Sequence, residues 1–165
     1  KIKRMKVIII SGSVGTGKTT LSKKLSKILN YEYVDVSKLI KKNKLSFGYD
    51  EENECEIIDI KKLNKFLVEL IKKSKKNLII DSHLSHYLPK KYVDLCIVTT
   101  CDISILRDRL KKRKYNAKKI KDNIEAEIFD TIVIETKEKK YNLFILNTTE
   151  GYKINDIVKF VEDNL

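Results

Sequence analysis

Short runs of β-branched and aliphatic residues alternate along this chain with longer stretches whose apolar positions recur every three or four residues. Val7-Ile8-Ile9-Ile10, Leu78-Ile79-Ile80 and Leu95-Cys96-Ile97-Val98 carry apolar residues with almost no alternation, as expected of strands covered on both faces. Such runs predict strands at Lys6–Ser11, Tyr33–Asp35, Asn77–Asp81, Leu95–Thr99 and Leu143–Asn147. The wider spacing predicts helices at Lys18–Leu29, Val36–Lys42, Asp59–Ser74, Ile103–Lys114, Ala117–Glu138 and Ile154–Asn164. Strands and helices taking turns imply an α/β fold, a five-stranded parallel sheet with helices on both faces. With one proline, five glycines and no linker-like segment, residues 1–165 read as a single domain able to bury one substantial core.

Two stretches depart from a minimal strand–helix repeat. Asn43–Ile58 lacks clear periodicity, and its Gly48-Tyr49-Asp50-Glu51-Glu52 string reads as an acidic turn between two helices. Arg107–Asn123 is the most basic stretch and ends in a helix start. In a doubly wound sheet ligands gather at the carboxyl ends of strands, so excursions leaving those ends are natural lids and specificity elements.

Gly12-Ser13-Val14-Gly15-Thr16-Gly17-Lys18-Thr19 matches the phosphate-binding loop pattern at every fixed position and lies between the first predicted strand and the first predicted helix. The bare pattern arises by chance in roughly 1% of chains this long or fewer, and the strand-before, helix-after context lowers that further. Glycines leave the backbone N–H groups free to point at a triphosphate, and the following helix aims its positive end at the same place. Lys18 would reach the β- and γ-phosphates, and the Thr19 hydroxyl would join a Mg²⁺ shell. ATP and Mg²⁺ are the expected cofactors.

Asp81 closes an apolar strand, where a carboxylate can hold Mg²⁺ directly or through water; the plainer alternative is a helix N-cap. His83, two residues on, is either structural or placed to orient a water or the metal shell. Arg109 and Arg113 are four apart on a predicted helix, a spacing that suits stacking on a base and bidentate phosphate contact, with an arginine-decorated exposed helix as the alternative.

The remaining composition narrows the classes. Thirty-five basic against 23 acidic residues give a formal charge of +12, which favours polyanionic partners such as nucleotides or RNA, although the lysines are scattered enough to be a solvated surface. Three cysteines without Cys-x-x-Cys spacing support neither a disulfide framework nor a zinc site, and Cys96 reads as a small core residue. No apolar run approaches a membrane span, and the run behind the basic Lys1–Met5 opening breaks at Ser11-Gly12, so the expectation is a cytoplasmic protein without a signal peptide.

Taken in order, the phosphate loop, the Asp81-x-His83 step, Gly48-Tyr49-Asp50-Glu51-Glu52, Arg113-x-Tyr115-Asn116 and Asp122-Asn123-Ile124-x-x-Glu127-Ile128-Phe129 resemble the adenylate kinase isoenzyme 6 (CINAP-like) family from Lys6 to about Phe160. The resemblance implies a P-loop NTPase fold of adenylate-kinase type, with a nucleoside-monophosphate arm over about Val36–Ile58 and a short lid over about 107–123. It implies ATP held by Gly12, Gly15, Thr16, Gly17, Lys18, Thr19 and Thr20. Arg109 would stack near adenine and Arg113 would touch phosphate. Lys41, Tyr49 and Asp50 would face the acceptor, and Lys18, Asp81, His83 and Arg113 would carry catalysis. It further implies transfer of a phosphoryl group to AMP, ATPase activity, and a role in maturation of the small ribosomal subunit with a ribosomal protein of the S11/S14 type and pre-ribosomal RNA. Lys41 stands where typical adenylate kinases have an arginine, and Asp81-Ser82-His83-Leu84-Ser85 replaces Asp-Gly-Phe-Pro-Arg. Lys114 occupies a position that is glycine in some relatives. Three readings follow: a monophosphate kinase, an ATP-hydrolysing assembly factor, and a plain RNA-binding module that would leave the phosphate loop idle.

Overall fold

The computed structural model describes residues 4–165. The basic opening singled out above falls, for residues 1–3, outside the described residues. Five strands, β1 (Val7–Gly12), β2 (Glu32–Asp35), β5 (Leu78–Asp81), β6 (Leu95–Thr100) and β7 (Leu143–Asn147), form a parallel sheet in the order β2-β5-β1-β6-β7. Its centre, β1, is buried at every position, which is why its sequence shows no alternation.

The two faces of β1 belong to different cores. Val7 and Ile9 pack with Val36, Ile40, Leu63 and Leu67 from α2 (Val36–Lys42) and α3 (Ile60–Lys73). Ile8 and Ile10 pack with Leu21 and Leu25 of α1 (Lys18–Leu29) and with Ile157 and Val161 of α7 (Ile154–Asn164). Each fully buried aliphatic side chain contributes about 1.5–3 kcal/mol by leaving water. This layered packing, rather than any single bond, holds the sheet edge where the loops emerge. Cys96 lies in the core as expected.

Three elements differ from the sequence expectation. Asn43–Ile58 is not a turn between two helices but contains an antiparallel hairpin, β3 (Ser46–Asp50) and β4 (Cys55–Ile58). The pattern misled because almost every hairpin residue is exposed or half-exposed, including Phe47 at 72% and Tyr49 at 52%, so no apolar face marks it. The long helix expected at Ala117–Glu138 is two helices, α5 (Ala117–Ile128) and α6 (Thr131–Glu138), parted at Asp130, whose φ of 49° is left-handed. The third, α4 (Ile103–Lys112), stops short of Lys114, which takes φ 57°. A residue past a helix end commonly adopts that conformation, and glycine adopts it most easily. Two short 3₁₀ turns, Ser85–Tyr87 and Lys90–Tyr92, follow β5.

Candidate active site

Lys18 and Thr19 follow β1, Asp81 ends β5 with His83 just beyond it, Arg109 and Arg113 follow β6, and Thr148 follows β7, all on the side of the sheet where the strands' carboxyl ends emerge. Strand order around β1 reverses there, leaving a crevice that the phosphate loop fills. Gly12 is confined by its neighbours: a Cβ at that position would lie 2.5 Å from both the carbonyl oxygen and the hydroxyl of Thr99, at a φ of 143°. Gly15, at φ 88°, would meet Leu106 and Leu110 of α4 within about 3 Å. Gly17 caps α1 in a left-handed conformation. The loop is tied from behind by Thr16, whose hydroxyl donates to Ser13 O at 2.7 Å and meets the Thr99 hydroxyl at 2.7 Å.

Lys18 Nζ donates to Ser13 O at 2.9 Å. Burial holds its pKa down at about 8, with the positive charge of Arg113 acting the same way and Asp81 and Glu127 opposing. Thr19 Oγ1 donates to Asp81 Oδ2 at 2.7 Å, and the Tyr33 hydroxyl donates to the same oxygen at 2.8 Å. Desolvation, then the hydrogen bond and charge of Asp81, push the Tyr33 phenol upward, so it remains a donor across the physiological range. Thr20, also in the first turn of α1, is exposed.

Arg109 lies on the other side of the loop. Its Nη1 donates to Gly15 O at 3.3 Å and to the Thr148 hydroxyl at 3.2 Å, while Nη2 donates to Thr148 O at 2.9 Å. Thr148 in turn donates to Thr16 O at 2.7 Å. Arg113 is the exposed C-cap of α4, so the two arginines project from successive turns but only Arg109 is pinned. Glu127 on α5 accepts from the Cys101 backbone N–H at 3.1 Å, placing a carboxylate near the same crevice.

A cavity of about 620 Å³ opens between α2, the hairpin, the start of α5 and Ser82–Leu84, which follow β5. Lys41, Tyr49, His83 and Tyr115 line it. His83 keeps part of its surface open to solvent; desolvation of the rest, followed by the positive charges of Lys18, His86 and Lys119, lowers its pKa below the ordinary histidine value. It is therefore a neutral imidazole at pH 7. Asp50 belongs to the hairpin turn, and its carboxylate is engaged by that turn's own amides.

Comparison with known proteins bears on what this crevice is. Residues 8–130 match the family described as AAA domain. A protein of Methanocaldococcus jannaschii named "Putative adenylate kinase" is 37% identical over 155 residues, 94% of this chain and 85% of that protein. The Drosophila melanogaster protein named "Adenylate kinase isoenzyme 6 homolog" is 37% identical over 131 residues, 79% of this chain and 74% of that protein. The chain belongs to the adenylate kinase isoenzyme 6 family. The fold itself recurs in the shikimate kinase of Acinetobacter baumannii, solved with shikimate, at a TM-score of 0.62 and 18% identity over 96% of this chain and 92% of that one.

Within this member of the isoenzyme 6 family, sequence reading missed several groups that shape the site. Tyr33 was hidden in a four-residue strand; its one signal was a polar-tipped aromatic in a run that pairs with β5 at Tyr33–Ile79. Thr99 and Thr148 stand at strand ends, where small hydroxyl residues close to a glycine loop are natural ties. His86 is buried behind β1: Ser11 Oγ lies 2.8 Å from its Nδ1, and its Nε2 lies 2.5 Å from Glu135 Oε2. A neutral ring donating to Glu135 and accepting from Ser11 satisfies both contacts, and it braces the strand directly ahead of the phosphate loop. No helix among the described residues is long and apolar enough to cross a membrane.

Proposed function

We propose that this protein is a nucleoside-monophosphate kinase that moves the γ-phosphoryl group of ATP to AMP or a related monophosphate. An acceptor phosphate oxygen forms the new P–O bond in line as the bond to the β-phosphate oxygen breaks, so ATP and AMP give two ADP. The observation that carries this reading is the acceptor-sized cavity opening against the same end of β5 that presents Asp81. A triphosphate on the loop and a second ligand in that cavity would meet over the Asp81–His83 step.

Little covalent chemistry is asked of the protein; positioning and charge neutralisation do most of it. Gly12–Thr20 cradle the triphosphate, Lys18 and Arg113 balance charge that develops on the transferring group, and the pinned Arg109 offers a fixed plane against which adenine stacks. Lys41 and Tyr49 line the acceptor's cavity, and Asp50 serves it indirectly by shaping the hairpin turn. The arm runs over Val36–Ile58 and the lid over about 107–123. A hydroxyl and a carboxylate, Thr19 and Asp81, are hard oxygen donors that suit Mg²⁺, and no group of three or more His, Cys, Asp or Glu among the described residues forms a cage of its own. That fits an ion keeping waters and substrate phosphate oxygens in its shell. Thr19 and Asp81 would hold the ion, whose contribution there would be neutralisation of phosphate charge.

A second reading has its own support. The neutral, solvent-facing His83 is suited to accept a proton from a water, or to orient one, which favours ATP hydrolysis as a parallel activity. In that role the basic surface would dock on ribosomal RNA or a ribosomal protein, and hydrolysis would quicken on docking. Product analysis with Mg·ATP, with and without AMP, separates the two. Two ADP per AMP consumed, with free phosphate a minor product that falls when AMP is added, is the expected result; free phosphate released equally with or without AMP would overturn the kinase reading.

A further inference from the structure

Three strings whose meeting the roles above leave unexplained, Gly48-Tyr49-Asp50-Glu51-Glu52, Tyr115-Asn116 and Asp122-Asn123, come together at one place in the fold. Asp50 ties the hairpin turn, accepting from the backbone of Glu52 and Asn53 at 3.0 Å each and from Asn53 Nδ2 at 2.9 Å. On the facing side Asn116 is the N-cap of α5, its Oδ1 accepting from the Lys119 backbone N–H at 2.8 Å. The other end of the same amide crosses the gap: Asn116 Nδ2 donates to the carbonyl oxygen of Glu52 at 2.9 Å. Lys119 Nζ donates to Glu54 O at 3.2 Å and stands 4.1 Å from the centre of the Tyr115 ring. Lys118, anchored to Asp122 at 2.7 Å, reaches Glu52 Oε2 at 3.9 Å.

We infer that Asn116 is a positioning residue that latches the hairpin to the start of α5, so that arm and lid close as one body, and that this latch decides whether the γ-phosphoryl group goes to the monophosphate or to water. The inference rests on the kinase reading above. A helix cap alone asks only for an acceptor, which aspartate or serine supplies as well; the donor end of the amide is given to Glu52 O. Tyr49 and Cys55 of the hairpin, with Tyr115 and Lys119 from the α5 side, wall the same cavity, so separating them admits water where the acceptor should sit. The latch is weak by construction. A single solvent-accessible hydrogen bond shifts an equilibrium by about three- to tenfold, enough to bias closure and little enough to release in each turnover.

Asn116→Asp and Asn116→Ser both keep the cap acceptor and remove the donor, so they break the latch without removing the cap that starts α5. A nitroxide attached to Cys55, exposed on the hairpin while Cys96 and Cys101 are buried, reads arm mobility independently of turnover. The expected result is a more mobile label in both variants. In unlabelled protein the AMP KM should rise about three- to tenfold, and free phosphate per ADP formed should rise by a similar factor. An unchanged label in both variants overturns the latch. A freed label with an unchanged phosphate-to-ADP ratio overturns its control of the acceptor. If the parent protein makes no AMP-dependent ADP, the kinase reading fails instead, and the label alone still judges the latch.

Discussion

At the phosphate end of the crevice Thr16, Thr99 and Thr148 are buried and bonded to one another and to the loop backbone, and Gly12 sits in a niche with no room for a methyl group. At the acceptor end Lys41 and Tyr49 are exposed, and the hairpin is tied across to α5 by a few solvent-accessible contacts. The first end is built into the fold by buried contacts; the second, under the latch inferred above, is completed by closure. Affinity for ATP should therefore reside in the resting structure, while acceptor choice resides in motion. Residues at the two ends should fail in different ways.

The largest break expected is at the finished end. Lys18→Ala should lower turnover by at least about a thousandfold with the fold intact, checked by steady-state ADP formation alongside circular dichroism. Near-parental turnover in a folded variant would remove the phosphate-loop assignment. Next, His83→Gly should lower hydrolysis by about a hundredfold and AMP phosphorylation by much less; equal losses measured by paired phosphate and ADP assays would deny His83 a special relation to water. The phosphate end should also carry a proton signature. Burial holds Lys18 at about 8 in the free protein, and a bound polyphosphate favours its charged form. ATP binding should thus take up a proton above about pH 8 and none near pH 6.5, with affinity falling as pH rises through that value. Calorimetry in two buffers of different ionisation enthalpy measures this, and uptake that does not change between these pH values would contradict it.

Smaller effects test the edges of the contrast. Tyr33→Phe removes one of two hydrogen bonds on Asp81 Oδ2 and should raise the Mg²⁺ concentration needed for half-maximal rate by about three- to tenfold. A Mg²⁺ titration showing no shift would make Tyr33 mere packing. Lys114→Gly relieves a left-handed residue at φ 57° and should stabilise the protein by about 0.5–1 kcal/mol in urea melts, because strain there exceeds glycine's entropic cost. A loss of stability would mean that the lysine side chain holds more than the turn.

The same contrast explains what could be read from sequence. The five parallel strands and the phosphate loop were legible because burial on both faces and a backbone-lined anion site leave strict marks: unbroken aliphatic runs such as Val7–Ile10, and glycines at fixed intervals. The hairpin at β3–β4 was not, because a two-stranded ribbon facing solvent on most of its surface imposes no apolar period. The break at Asp130 escaped because apolar spacing runs on through it, and a single left-handed residue outside glycine leaves no pattern. Tyr33 and Thr148 escaped for another reason: they act through contacts spanning 48 and 132 positions along the chain. Only the assembled sheet brings those partners together.

That last separation has a consequence in time. Thr148 follows the final strand of the sheet, yet its hydroxyl directly, and its carbonyl through Arg109, hold the loop that follows the first. Contacts so distant in sequence form late, after the intervening chain has collapsed. A ribosome that has released only the first six strands has made every residue of the phosphate loop but not its anchor. ATP capture should appear abruptly, when β7 joins the sheet, and a nascent chain stalled before Leu143 should bind the nucleotide weakly.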